Sequence, residues 1–197
     1  IMAFWGAPEA QEDHALRACR GALMMRAEAE TLLVEARTGE RPAFPTRFGI
    51  NTGHVMVGNI GAPDRFNYAI LGDAVNTAAR LEGLNKLYGT AIIAGEATVD
   101  VVGDLMVWRQ LDWVRAKGKQ HSMGIYELVG ERETVSRETC ELVTAYQNAL
   151  GMYRERRFDE AAAAFRALVG HPLLSGKAAL VLAERSEQYV QNPPGPD

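Results

Sequence analysis

The 197-residue chain has only two cysteines, Cys19 and Cys140, and they lie far apart without metal-ligand spacing. This pattern predicts reduced, unbridged thiols in a reducing compartment. No apolar run approaches the ~18 residues of a membrane span. The opening residues Ile-Met-Ala-Phe-Trp lack the charged flank and cleavage pattern of a signal peptide. We therefore predict a cytoplasmic segment without membrane contact of its own, in a parent protein that upstream segments could still tether to a membrane.

The chain also lacks an excess of basic residues. The 21 Lys and Arg residues are outnumbered by 25 Asp and Glu residues, which gives a formal net charge of -4. A chain of this balance has no general basic field for nucleic acid, so nucleic acid is not a predicted partner. The 47% hydrophobic and 23% charged residues are typical of a globular protein that buries a core.

In the first two thirds of the chain, short apolar runs typical of strands alternate with segments whose apolar residues recur at helical spacing. The predicted elements are a strand at 1–5, a helix at about 13–36, a hairpin centred on 51–53, an extended run at 64–73, a helix from 73, a strand at 90–95, a helix at about 96–103, and two strands joined by the loop 117–121. Because the chain starts inside an apparent strand, we expect the beginning of this domain to lie upstream of Ile1.

One short segment, "YAILGDAVNTAARLE" at 68–82, places polar residues in an otherwise apolar helix. Asn76 and Arg80 are four residues apart and therefore share a helical face, while Asp73 is a candidate N-cap. An amide and a guanidinium near a helix start could bind an anionic ligand. Spacing alone leaves the alternative open that Asn76 makes a local hydrogen bond and Arg80 is solvated or salt-bridged.

After about residue 130 the sequence pattern is typical of helices, with few glycine or β-branched residues. We predict two amphipathic helices with a turn near Arg157-Phe158, a third helix from Ser175 to about Val190, and a disordered tail "QNPPGPD". The aromatic and alanine positions suit a tetratricopeptide-like hairpin, although ordinary packing explains them as well. The predicted domains are therefore 1–130 and a helical extension at 131–197.

Four segments of 1–130 resemble the catalytic domain of class III nucleotidyl cyclases, the adenylate and guanylate cyclase family: "IMAFWGAP", "FGINTGHVMVGNIG", "YAILGDAVNTAARLE" and "KGK…YELVG". The resemblance implies an α+β fold, a partial ferredoxin-like arrangement with helices packed on a mixed, mostly antiparallel sheet. The last third resembles the tetratricopeptide-like extension behind bacterial members of the family.

The resemblance also implies an activity, that of an adenylate cyclase of signal transduction, which converts ATP to 3′,5′-cyclic AMP and pyrophosphate. Asn76 matches the family residue that holds the ribose, Arg80 the one on the α-phosphate, and Lys117 the one on the terminal phosphates. Ala69 stands where adenylate cyclases usually carry Asp or Thr to read the base. Base selection then falls to the backbone near Ile70 and to upstream residues.

The family binds two Mg²⁺ or Mn²⁺ ions through two Asp residues, and both positions would fall upstream of Ile1. Asp73 matches neither position. The family forms its sites between two protomers, so we expect a homodimer or a cyclase-domain partner, with this chain supplying the ribose and phosphate half and inactive alone. The alternatives are an inactive cyclase-like regulatory partner or a protein-interaction module built on the C-terminal helices; a guanylate cyclase is less favoured.

Overall fold

The computed structural model describes residues 1–37, 45–62, 65–115 and 122–195. Its helices and strands, in chain order, are α1 (His14–Arg37), β1 (Phe48–Ile50), β2 (Met56–Ala62), β3 (Arg65–Leu71), α2 (Asp73–Tyr88), β4 (Ile92–Gly95), α3 (Glu96–Val102), β5 (Met106–Val114), β6 (Met123–Glu131), α4 (Arg137–Arg154), α5 (Phe158–Leu168) and α6 (Gly176–Gln191). Most predicted elements are confirmed, including the three helices after residue 130. Within the ranges given, no helix combines the length and apolarity that a membrane span requires.

The central sheet has four strands in the order β1-β4-β6-β5. Strands β1 and β4 are parallel, whereas β4 with β6 and β6 with β5 are antiparallel. Strands β2 and β3 form a separate two-stranded antiparallel sheet. The predicted α+β class, with a mixed and mostly antiparallel sheet, is confirmed.

The predicted hairpin centred on Asn51 to Gly53 is wrong. Strand β1 pairs with β4, and β2 pairs with β3 instead of β1. The stretch between β1 and β2 packs against the start of α2, where the Asn51 amide donates to the Ala74 carbonyl at 3.3 Å. Alternation in the sequence shows which residues share a face of a strand, but it does not identify the partner strand.

The predicted strand at 1–5 is also wrong, because these residues have no regular structure. Ile1 and Met2 are exposed. The Phe4 ring lies 6.2 Å from the Tyr68 ring, and the Trp5 indole lies against Gly21 of α1. Aromatic packing therefore holds this segment, and no described strand pairs with its backbone.

Helices cover both faces of the sheet. One core cluster joins α1 and α3 to the sheet: Ala15, Cys19, Ala22, Ile92, Val102, Met106 and Leu128. The other joins α2 and α4–α6 to the opposite face: Leu81, Tyr88, Ile93, Leu111, Ile125, Tyr146, Ala149, Leu150, Ala161, Phe165, Ala178, Ala179, Leu182 and Ala183. Neighbouring Ile92 and Ile93 thus enter different clusters, as strand alternation requires. The helices after residue 130 share a core with the sheet, and the domain boundary at 130 stays a prediction.

Candidate functional site

The candidate site is built on the corner where β3 ends and α2 begins. Gly72, not Asp73, is the N-cap, and no side chain of the described residues caps the helix. At Gly72 a Cβ would lie 3.1 Å from the His54 carbonyl oxygen, so the corner is tightly packed. Asp73 is the first helical residue, where its negative charge complements the positive end of the helix dipole.

Asn76 and Arg80 both lie exposed on the N-terminal half of α2. Within the described ranges, neither side chain makes a hydrogen bond or an ion pair with another residue. The face formed by Leu81, Asn85 and Tyr88 is buried instead. The polar pair thus lies on the exposed side of α2, while the helix is held from its other side.

The two predicted base-proximal residues lie on β3, just before this corner. Ala69 is paired with Gly58 and Ile70 with Val57 of β2. Ile70 is buried and Ala69 is half-buried, as expected for neighbours on opposite faces of a strand. One strand–turn–helix unit thus carries Ala69, Ile70, Asn76 and Arg80, whereas Lys117 lies outside the described residues.

Gly49 of β1 allows α2 to lie directly on the sheet. A Cβ at this position would be 2.0 Å from the Ala78 carbonyl oxygen and 2.4 Å from the Glu82 nitrogen. Neither distance is compatible with a side chain, so only glycine permits this approach. Sequence reasoning did not select Gly49, although an isolated glycine inside a strand is a known sign of close backbone contact.

Asn85 is the second anchor of α2, and it is completely buried. Its amide donates to the Phe48 carbonyl at 2.9 Å, and its Oδ1 accepts from the Thr90 hydroxyl at 2.8 Å. A buried amide with its groups paired in this way fixes a helix relative to its neighbours. Sequence reasoning missed Asn85 as well; the available signal was a polar residue on the apolar face between Leu81 and Tyr88.

The described residues contain no group of three or more His, Cys, Asp or Glu side chains placed to hold a metal ion. The two-metal site implied by the family, with its ligands upstream of Ile1, stays a prediction.

Comparison with known proteins agrees with this architecture. Residues 1–130 match the family described as the adenylate and guanylate cyclase catalytic domain. Adenylate cyclase 1 of Rhizobium meliloti is 43% identical over 145 residues, which cover 74% of this chain and 22% of that protein. The terminal-differentiation-specific adenylate cyclase of Dictyostelium discoideum is 34% identical over 150 residues, which cover 74% of this chain and 7% of that protein. The chain thus spans less than a quarter of these curated relatives.

Two solved structures share the fold. The adenylyl cyclase CyaB from P. aeruginosa superposes with a TM-score of 0.58 at 30% identity, covering 67% of this chain and 68% of that one. The guanylyl cyclase Cya2 gives 0.59 at 30% identity, covering 67% and 66%. The chain belongs to the class III nucleotidyl cyclases, the family of adenylate and guanylate cyclase catalytic domains.

Proposed function

We propose that this chain supplies the ribose- and phosphate-binding half of an adenylate cyclase site, which converts ATP to 3′,5′-cyclic AMP and pyrophosphate. The observation that carries the proposal is the exposed pair Asn76 and Arg80, one turn apart and unpaired within the described ranges. The curated relatives in Rhizobium and Dictyostelium are both named adenylate cyclases, which supports ATP as the substrate.

In the proposed reaction the ribose 3′-oxygen forms a bond to the α-phosphorus, and the bond from that phosphorus to the bridging oxygen of the β-phosphate breaks. The hydroxyl proton passes to a base or to water, and pyrophosphate leaves. No covalent enzyme intermediate forms, so the protein contributes by positioning and by stabilising charge. Two Mg²⁺ or Mn²⁺ ions, bound by residues outside this chain, would activate the hydroxyl and neutralise the triphosphate.

Each residue of this chain has a role suited to its chemistry. The Asn76 amide can both donate to and accept from ribose hydroxyls, which orients the sugar. The Arg80 guanidinium is a fixed, always-charged fork that suits the α-phosphoryl oxygens as their charge rises. Lys117 would meet the terminal phosphates as a point charge.

The proposed site is shared between two cyclase domains. The two-stranded sheet that carries Ala69 and Ile70 exposes the apolar side chains of Met56 and Leu71, which are directly paired across its strands. Adjacent exposed apolar side chains are typical of a surface that a partner covers. We propose that a homodimer partner or a second cyclase domain covers it and supplies the metal-binding carboxylates.

A complementation assay tests the proposal. The chain is mixed with a full-length cyclase protomer that has both metal carboxylates but lacks the arginine equivalent to Arg80. With ATP and Mn²⁺, cyclic AMP should form in the mixture and not with either component alone. Arg80→Ala in this chain should lower kcat by about 10²–10³-fold, as expected for the loss of one preorganised transition-state donor.

Arg137→Ala is the matched control, because the Arg137 side chain is 92% exposed on α4 and pairs only with Glu141 within the described part of the chain. This variant should keep full activity. Equal activity of the Arg80 variant and the control would reject the role of Arg80. A mixture that assembles but forms no cyclic nucleotide from ATP or GTP would instead identify an inactive regulatory partner.

A further inference from the structure

The C-terminal end of α2 is capped by Ser175 and Lys177 at the start of α6, a feature that the proposed reaction does not use. Lys177 Nζ donates to the Lys86 carbonyl at 2.7 Å, and Ser175 Oγ donates to the Tyr88 carbonyl at 3.5 Å. The last carbonyls of a helix have no partner within the helix itself. Here residues 87 and 91 positions further along the chain supply those partners.

The two helices are in close contact at Gly89. Gly89 ends α2 with a φ of 69°, in the left-handed region that favours glycine. A Cβ at Gly89 would lie 2.7 Å from Lys177 Cβ and 2.8 Å from Ser175 Oγ. The start of α6 therefore packs directly against the end of α2, and the left-handed conformation of Gly89 ends the helix after Tyr88.

A buried polar group makes the second contact between the helices. The Tyr88 hydroxyl donates to Asp112 Oδ2 at 2.7 Å, and Arg185 of α6 donates to the same oxygen at 2.6 Å. Burial opposes the charge on Arg185, but the Asp112 carboxylate more than offsets this and raises the pKa of the guanidinium. Removal of one partner from such a pair leaves a buried charge without compensation.

The segment that leads into α6 is tied to the sheet at a third point. Arg109 of β5 is buried, pairs with Glu127 at 2.7 Å, and donates to the Ser175 carbonyl at 3.2 Å. The sheet therefore fixes Ser175, and Ser175 in turn contacts α2. These three points join α6 to the end of the helix that carries Asn76 and Arg80.

We propose that α6 clamps α2, with Arg185, Lys177 and Ser175 as positioning residues that fix where Asn76 and Arg80 lie. Helix α2 is a single 16-residue helix, so displacement of its C-terminal end is transmitted to its N-terminal half. The effect on turnover rests on the proposed function, whereas the effect on the order of α2 does not.

Hydrogen exchange on the whole 197-residue chain tests the clamp in a measurement that does not depend on enzymatic activity. Arg185→Met should speed exchange of the α2 amides over 76–84 by about tenfold, because local opening becomes easier. Arg185→Lys keeps the charge and should restore most of the protection. Arg166→Met is the matched control: it removes the surface ion pair from Arg166 of α5 to Glu187 of α6, which does not touch α2.

The proposal would be overturned if Arg185→Met left the exchange rate of the α2 amides unchanged. It would also be overturned if Arg166→Met raised that rate as much as Arg185→Met. If Arg185→Met does not fold, Lys177→Met replaces it, since Lys177 is exposed and its loss removes only the cap on Lys86. Unchanged exchange of the α2 amides in Lys177→Met, or equal acceleration in Arg166→Met, would then overturn the proposal.

Kinetics in the complementation mixture provide the second measurement. Arg185→Met should lower kcat by about tenfold and change KM by less than about twofold, with rescue by Arg185→Lys, because misplacement acts on the reacting geometry. A purely structural role would reduce the folded fraction and leave kcat per folded molecule unchanged. If the unmodified chain has no activity but the exchange pattern holds, the clamp stands and the proposed function fails.

Discussion

Gly49→Ala is the most direct way to move the proposed catalytic helix. The new Cβ would lie 2.0 Å from the Ala78 carbonyl oxygen and 2.4 Å from the Glu82 nitrogen. An ordinary contact needs about 3.5 Å, so α2 must move away from β1 by about 1.5 Å. Both obstructing atoms belong to the helix backbone, so a change of side-chain rotamer cannot relieve the clash.

The shift should reduce both stability and turnover. Forced overpacking of this kind costs about 1–3 kcal/mol. At this chain length each kcal/mol corresponds to about 2–4 °C in Tm, which predicts a decrease of roughly 2–12 °C. A displacement of about 1 Å in a positioning group can lower turnover by about 100-fold, so kcat in the complementation mixture should fall by a similar factor.

Gly83→Ala in the same helix is the control. Among the residues that the structure describes, none has an atom within 4 Å of a Cβ at Gly83. Alanine is the better helix former by about 0.5–1 kcal/mol, so this variant should raise Tm by a few degrees and keep its activity. Thermal unfolding followed by circular dichroism gives the Tm of each variant. If Gly49→Ala were as stable and active as the control, the close approach of α2 to β1 would be refuted.

Three further predictions concern other parts of the chain. Cys19 is buried, and burial raises the pKa of its thiol to about 12. A thiol-reactive reagent should therefore label the half-buried Cys140 first and reach Cys19 only after unfolding. Equal labelling rates for both thiols in the native protein would contradict this. Ala69→Asp should sharpen the preference for ATP over GTP, because a carboxylate can accept from the adenine amino group; an unchanged ratio of kcat/KM values would show that residue 69 does not read the base. Burial, helped by Asp112, raises the pKa of Tyr88 above its unfolded value, so Tyr88 favours folding up to about pH 10 and stability then declines as pH rises. Tyr88→Phe should make the decline of the urea midpoint with pH shallower. An unchanged slope would show that loss of the Tyr88 hydroxyl proton does not cause the decline.

Local patterns in the sequence predicted the elements well, because they depend on neighbouring residues. The four-residue spacing of Asn76 and Arg80 correctly placed both on one face of a helix, and that face is exposed. Their chemical roles stay predictions. The alternation on either side of Asn51 correctly indicated extended segments, but not that β1 and β2 pair with different strands.

Long-range contacts were beyond the reach of these patterns. Asn85 and Phe48 are 37 residues apart, and Asp112 and Arg185 are 73 apart. Local spacing can indicate that Asn85 lies on a buried face, but it does not identify the distant partner of any of these residues. The N-cap was misplaced by one residue for a related reason, since the packing of Gly72 against the residue 54–55 backbone decides where α2 begins.

The distribution of contacts along α2 predicts that stability and activity can be separated at Arg80. The anchoring contacts of α2 lie at Ala74, Ala78, Asn85 and Tyr88, whereas Arg80 has no hydrogen bond or ion pair in the described part of the chain. Arg80→Ala should therefore change Tm by less than about 2 °C, as is usual for an exposed substitution. Asn85→Ala should cost about 2–4 kcal/mol, because it leaves buried polar partners unpaired. A site that works by preorganised charge needs such a division, because its charged group must be held rigidly by the helix and yet remain free for the substrate. A large loss of Tm in Arg80→Ala would show that Arg80 supports the fold, and the case for a ligand at this helix would then fail.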